Sequence, residues 1–247
     1  MLRVKDMIDQ KKILFTGGNG ILGSEFKKIL PDIKYPSKTE LDVTNYEQMD
    51  RYLGEGDWSV IVHAAAFTSP PRIDQDPLRA IDVNIIGTSN VVKLCMKYGL
   101  KLIYLCTDYV FKGDCGNYKE DDPVFPVNKY AWSKLGGECA VRLYDNSIII
   151  RTTFGPNVFP FEKAFVDQWT SRESVSTMAR MIAKLLDSDF KGTVHVGGKR
   201  KSVFAYAKGL DPKKEIKELS VKEINFKVPA DTSMNCELYN SLVNKKQ

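Results

Sequence analysis

The sequence predicts an α/β chain: a doubly wound parallel sheet followed by a small C-terminal lobe. Three observations carry that expectation. Short, uninterrupted apolar runs recur through most of the chain, as strands covered on both faces require. Segments of helical periodicity alternate with them, the order that makes crossover connections. A glycine-rich turn, Gly17-Gly18-Asn19-Gly20, joins the first apolar run to the first helix.

In chain order, residues 12–16 read as a buried strand and 21–30 as the helix after the turn. Residues 33–35 read as a second short strand, stopped by Pro36, which has no N–H to donate to a ladder. Residues 60–64 form the next apolar run, and helical periodicity then holds over 78–97 until Gly99 supplies a C-cap. The runs 102–106 and 147–151 repeat the buried-strand pattern on either side of a helix over 130–143. A further helix is expected over 175–186 and a last strand over 193–196. The division expected is a sheet domain over 1–152 and a reduced lobe over 153–247, with 175–198 packing back on the sheet. Crossovers should be right-handed.

Composition narrows the class. A chain of 247 residues can bury one large α/β core, and 43% hydrophobic with 27% charged residues is ordinary for an enzyme. The net charge of +5 favours anionic ligands but is not gathered into a stripe. The runs Lys199-Arg200-Lys201 and Lys245-Lys246 read as solvated loop and tail, so no nucleic-acid partner is expected. No apolar run approaches the roughly 20 residues that span a bilayer, so no membrane partner is expected. Cys95, Cys106, Cys115, Cys139 and Cys236 show no CxxC spacing, and residues 1–6 lack a signal-like apolar stretch; reduced thiols in the cytoplasm are the expectation. With His63 and His195 as the only histidines and no carboxylate cluster, no metal is expected; both histidines read as packed.

Two motifs carry chemistry. Gly17-x-x-Gly20-x-x-Gly23 opens a helix directly after a strand, where backbone can approach a pyrophosphate and the free N–H groups of the helix meet its charge. Tyr130 and Lys134 stand one helical turn apart on one face. An ammonium beside a phenol favours the phenolate, so the pair can trade a proton near neutral pH. Thr107-Asp108-Tyr109 ends a strand between the two motifs, where doubly wound folds place ligands.

Together these segments resemble the short-chain dehydrogenase/reductase superfamily and its Rossmann-type fold. His63-Ala64-Ala65-Ala66, Val83-Asn84-x-x-Gly87-Thr88-x-Asn90 and Leu41-Asp42-Val43-Thr44 are similar to its extended, sugar-nucleotide branch. Thr107-Asp108-Tyr109-Val110-Phe111, Tyr118-x-Glu120-x-Asp122, and Tyr130-x-x-Ser133-Lys134-x-x-Gly137-Glu138 are similar to dTDP-4-dehydrorhamnose reductases. The likeness is dense over 12–153 and thinner beyond, where Asp167-Gln168-Trp169-Thr170 and Pro229-Ala230-Asp231-Thr232-Ser233 echo later segments.

The resemblance implies reduction of the 4-keto group of a nucleotide-linked 4-keto-6-deoxy sugar, in deoxysugar and polysaccharide biosynthesis. It implies NADP(H) as the preferred cofactor, with NAD(H) possible, and a possible homodimer. Thr107, Tyr130 and Lys134 would be catalytic, with Tyr130 as proton donor and Lys134 lowering its pKa. The cofactor would be held by Gly17, Asn19, Gly20, Ile21, Leu22 and Gly23, by Asp42 and Val43, by Ala64, Ala65 and Ala66, and by Tyr130 and Lys134. Ser37 and Lys38 stand where NAD-selective folds carry a carboxylate, and would meet a 2′-phosphate instead. Thr68, Asp108, Tyr109, Phe154, Gln168 and Trp169 would form the sugar pocket. The chain departs from these reductases after Phe154, which replaces a usual Trp: there is room for about one short helix before Asp167, and little chain for a closing helix after residues 238–242. The alternatives are an epimerase of the same superfamily, or a non-catalytic cofactor-binding regulatory subunit.

Overall fold

The computed structural model describes residues 8–224 and 228–244; the 1–6 segment and the Lys245-Lys246 pair lie outside the described residues. Strands β1 (Ile13–Thr16), β2 (Val60–His63), β3 (Lys101–Thr107), β4 (Ser147–Thr152) and β5 (Gly192–Val196) form one parallel sheet in that spatial order. Helices α1 (Ile21–Ile29), α2 (Tyr46–Gly54), α3 (Gly87–Tyr98), α4 (Lys129–Val141), α5 (Val175–Ala183), α6 (Val203–Leu210) and α7 (Glu237–Asn244) accompany it.

Strand periodicity sorts the core onto two faces. Ile13, Phe15, Val60, Val62, Ile103, Leu105, Ile148 and Ile150 face one way and pack with Leu22 and Phe26 of α1 and Met178 and Ile182 of α5. Leu14, Ile61, Leu102, Tyr104 and Ile149 face the other way, against Met49 and Leu53 of α2 and Val91 and Leu94 of α3. Each such Leu, Ile or Phe contributes roughly 1.5–3 kcal/mol by leaving water.

The expected strand over 33–35 shrinks to one parallel bridge, Leu14 with Lys34. Phe15 N–H donates to Lys34 O at 2.8 Å and Lys34 N–H to Ile13 O at 3.0 Å, after which Pro36 cannot continue the ladder. The long helix runs through Pro77–Ala80 and ends where Gly99 takes φ 68°, but Ile81–Ile86 widens into a π-helical turn. Asn84 explains the widening. Its amide accepts from Phe67 N–H at 2.8 Å and donates to Phe67 O at 2.9 Å and Ser133 Oγ at 2.8 Å, pulling the turn toward α4.

The segment after β4 forms no helix before Asp167. Phe154–Gly155 pairs with Glu173–Ser174, and Lys163–Phe165 pairs with Lys217–Leu219, both parallel. This small lobe has its own core of Phe159, Ala164, Val203, Tyr206, Ala207 and Ile216. The basic run at 199–201 is not a plainly solvated loop. Arg200 binds Asp231 at 2.8 Å and lies 3.8 Å over the Trp169 ring, while Lys201 binds Glu173 at 2.5 Å. A closing helix is present: Tyr239 of α7 is buried in the sheet core and donates to Met181 O at 3.0 Å.

Candidate active site

A cleft of about 640 Å³ opens at the C-terminal ends of β1–β4. One end is the glycine turn. Gly17 has φ 79°, and a Cβ there would stand 2.7 Å from Ala65 N, so the turn closes onto the chain leaving β2. No side chain caps α1 at Gly20, which leaves the first N–H groups of the helix available to an anion at this wall. Such a cradle fits the pyrophosphate of a nicotinamide dinucleotide.

A buried hydroxyl–imidazole chain ties this end to the helices behind it. Thr88 donates to Asn84 O at 2.8 Å, so it accepts from His63 Nε2–H at 3.0 Å; His63 Nδ1 then accepts from Thr16 Oγ1 at 2.8 Å. His63 is fully buried, and burial, helped by the nearby Lys134 charge, pulls its pKa down to about 3. It is a structural group.

At the other end, β3 delivers Thr107 and α4 delivers Tyr130 and Lys134. Asn128 starts α4 by accepting from Ala131 N–H at 2.9 Å. Gly137, one turn past Lys134, lets α4 approach closely: a Cβ there would stand 2.5 Å from Asn84 O and 2.6 Å from Tyr104 Oη. The Tyr104 hydroxyl donates to Lys134 O at 2.9 Å, and the Lys134 ammonium lies 4.4 Å over the Tyr104 ring. Farther along α4, buried Glu138 takes Arg151 of β4 at 2.7 Å and Arg142 at 2.8 Å, which fixes the helix on the sheet.

Burial sets the protonation. It lowers the Lys134 ammonium to about 8, with Cys106 and Glu138 opposing. It raises the Tyr130 phenol well above its ordinary range, with the Thr107 hydroxyl opposing. The expected lowering of the phenol by Lys134 is not seen: burial is the largest influence on it, and the Cys106, Asp108 and Tyr109 groups push in the same direction. Burial also lifts Asp108 to about 6, against the Thr232 hydroxyl and the Arg172 charge.

Gly17, Asn19, Gly20, Ile21, Leu22, Gly23, Lys38, Asp42, Val43, Ala64, Ala65, Ala66, Thr68, Thr107, Asp108, Tyr109, Tyr130, Lys134 and Phe154 all line this cleft. Ser37, Gln168 and Trp169 are not among its lining residues. The Ser37 hydroxyl is engaged with Thr39 Oγ1 at 2.9 Å and Glu40 N–H at 3.3 Å, and Lys38 pairs with Asp42 at 3.3 Å. Trp169 is turned away by strand pairing with Ser202 and by its backbone bonds to Ala230 and Thr232. Gln168 donates to Pro229 O at 3.2 Å and supports the Tyr109 hydroxyl from behind. Residues the sequence did not single out also line the cleft, chiefly Arg79, stacked 4.9 Å from the Phe67 ring, and Arg172. Arg172 Nε is buried without a partner, and its charge acts on Asp108 and Tyr109.

Among the described residues no helix is long and apolar enough to cross a membrane. A family model described as the RmlD substrate binding domain matches residues 11–246. A dTDP-4-dehydrorhamnose reductase of Aggregatibacter actinomycetemcomitans is 31% identical over 180 residues, covering 69% of this chain and 61% of that protein; the match thus spans under two thirds of that relative. Methionine adenosyltransferase 2 subunit beta of Bos taurus is 27% identical over 229 residues, covering 77% of this chain and 68% of that protein. The crystal structure of a dTDP-4-dehydrorhamnose reductase from Bacillus anthracis, in complex with NADP, superposes with a TM-score of 0.83 at 28% identity, covering 93% of this chain and 90% of that one.

Proposed function

The chain belongs to the RmlD substrate-binding domain family, and from that premise we propose that it reduces the 4-keto group of a nucleotide-linked 4-keto-6-deoxy sugar with NADP(H), NAD(H) being the second choice. The observation that carries this reading is the meeting of Thr107, Tyr130 and Lys134 with the glycine turn in one cleft. The glycine-turn residues and the Ala64-Ala65-Ala66 wall would hold the cofactor, which supplies the hydride when bound. Tyr130 gives its proton to the carbonyl oxygen as that oxygen becomes an alkoxide. A phenol held neutral by burial is in the right form for this step. Lys134 then stabilises the phenolate. At pH 7 an ammonium with a pKa of about 8 is still charged, and close to the point where it can release a proton. Arg172, Asp108, Tyr109, Thr68 and Phe154 would surround the sugar and its diphosphate. Deoxysugar and polysaccharide biosynthesis as the setting, the cytoplasm as the place and a homodimer as the assembly belong to the same proposal.

The test is loss of reduced-nicotinamide absorbance with NADPH and dTDP- or GDP-linked 4-keto-6-deoxyhexose. Tyr130→Phe keeps the ring and removes the proton, so turnover should drop by roughly 10²–10⁴-fold while NADPH binding survives. Unchanged turnover in that variant would remove Tyr130 from the reaction.

A further inference from the structure

Tyr104 lies on β3, on the face that also carries Leu102 and Cys106, and it is 0% exposed. It touches Lys134 twice. Its hydroxyl donates to Lys134 O at 2.9 Å, and its ring lies under the ammonium, with Nζ 4.4 Å from the ring centre. The ring has little room to leave this place. Gly137 brings α4 down on the hydroxyl, where a Cβ would stand 2.6 Å from Tyr104 Oη, and the His63 ring packs 5.8 Å away on the other side of the strand pair.

The ammonium needs such a neighbour. Lys134 is 3% exposed, and among the described residues no carboxylate stands within ion-pair distance of it. A buried cation without a partner is costly. Glu138, one turn on, is shared between Arg151 at 2.7 Å and Arg142 at 2.8 Å. The other titratable groups packed around the site bring no negative charge near neutral pH: burial keeps Cys106 of β3 and Tyr130 of α4 protonated, and it keeps His63 of β2 neutral. Asp108, at the end of β3, faces Tyr130 and Arg172. What meets the ammonium directly is an aromatic face. Such a face carries negative potential from its quadrupole, and it attracts a cation within about 6 Å of the ring centre, most strongly where water is excluded.

We propose that Tyr104 is a positioning residue for the reduction: held by its hydroxyl to the Lys134 carbonyl, it supports the Lys134 ammonium charge on its ring face, in place of a carboxylate. The inference rests on the reading of Lys134 given above and adds a residue that acts through it. A carboxylate at this place would hold the lysine in an ion pair; a ring face steadies the charge and leaves every N–H of the ammonium free for the cleft. A purely structural Tyr104 would only fill the space between β3 and α4, and changing its ring electronics would leave ionisation in the cleft untouched.

The test varies the ring's charge distribution and keeps its shape. Tyr104→Phe is the baseline, since packing alone holds the ring there. Ring-fluorinated phenylalanines placed at the same position then withdraw the negative face stepwise. Two measurements read the outcome. The first follows Lys134 by ¹³C NMR in protein labelled at the lysine ε-carbon, without ligand, with Lys134→Met to assign the signal. The second takes kcat/KM for NADPH across pH with a dTDP-linked 4-keto-6-deoxyhexose, which reports the ionisations of the free protein. From Tyr104→Phe to the trifluorinated ring the Lys134 midpoint should fall by about one pH unit, and kcat/KM should decline on its alkaline side at a pH lower by the same amount. A midpoint that stays in place across the folded series overturns the proposal, and so does one that moves while the kcat/KM profile does not. If the native protein turns over no keto sugar, the functional reading falls, and the lysine titration still tells whether the Tyr104 ring supports the charge.

Discussion

Arg172 enters the cleft beside Asp108 and Tyr109 with a buried, unpartnered Nε, so the sugar end offers a cation that no carboxylate within ion-pair distance claims among the described residues. A diphosphate brings two negative groups, and a guanidinium binds such groups in a fork. Arg172→Gln should raise KM for the nucleotide sugar by about 10- to 100-fold and leave KM for NADPH alone; equal effects on both would place Arg172 elsewhere. Lys38 makes the corresponding case at the adenosine end. Its pairing with Asp42 is exposed and weak, so it remains free to meet a 2′-phosphate. Lys38→Ala should lower the ratio of kcat/KM for NADPH over NADH severalfold, and an unchanged ratio would argue against that role. Residues whose task is local are legible in sequence: the glycine turn, Thr107, Tyr130 and Lys134 each sit in a short pattern tied to one strand end or one helix face. Arg172 has no such pattern, since it reaches the cleft through long-range pairing of its segment, that of Phe154–Gly155 with Glu173–Ser174 among others. Trp169 shows the converse, because its backbone bonds to Ala230 and Thr232 and its pairing with Ser202 keep it out of the cleft that its motif suggests, while Gln168 stands one layer back, on Tyr109.

At the scale of elements, apolar periodicity marks the five strands of the main sheet and the helices α1, α3, α4 and α5, because each is covered on both faces or on one stripe, whereas α2, α6 and α7 are not among the expected segments. What it leaves out are features set by contacts between elements. The π-helical turn at Ile81–Ile86 has no periodic signature of its own; it exists because Asn84 must reach both Phe67 and Ser133. The small lobe is equally hidden, since its strands are two or three residues long and depend on partners far along the chain. The packing of α4 against that turn gives an element-scale prediction. Gly137→Ala would drive a methyl into Asn84 O and Tyr104 Oη, both held in hydrogen bonds, so α4 must shift. Overpacking of this kind costs about 1–3 kcal/mol, and the same shift displaces Tyr130 and Lys134 from Thr107. The variant should melt several degrees lower and lose turnover beyond what its folded fraction explains. A variant with native melting and native kcat would mean that the helix has slack there.

For the whole molecule, the buried titratable groups set how stability responds to acid. His63 and His195 are both fully buried, and burial holds their pKa values near 3 and 4 against an ordinary 6.5. The unfolded chain takes up protons as pH falls through 6.5, while the folded protein does not, so stability is lost from pH 6.5 downward until the folded values are reached. At pH 4.5 this amounts to about 3 kcal/mol for each histidine. Asp108 works in the opposite direction. Its folded value of about 6 lies above the ordinary 3.8, so the folded protein binds its proton first and gains about 2 kcal/mol by pH 4.5. The histidines win, with a net loss of about 3–4 kcal/mol, a large share of a typical folding free energy. His195 is the cleaner probe because it lies away from the cleft. Its Nδ1–H donates to Tyr118 O at 3.1 Å and Asn235 O at 3.2 Å, and its Nε2 has no partner. His195→Asn keeps a donor at the Nδ1 position and removes the titration. Urea unfolding at pH 7 and pH 4.5 should show the native protein losing about 3 kcal/mol more than the variant between the two conditions. Parallel losses in the two proteins would mean that His195 takes up its proton without unfolding, and that acid sensitivity arises from other groups.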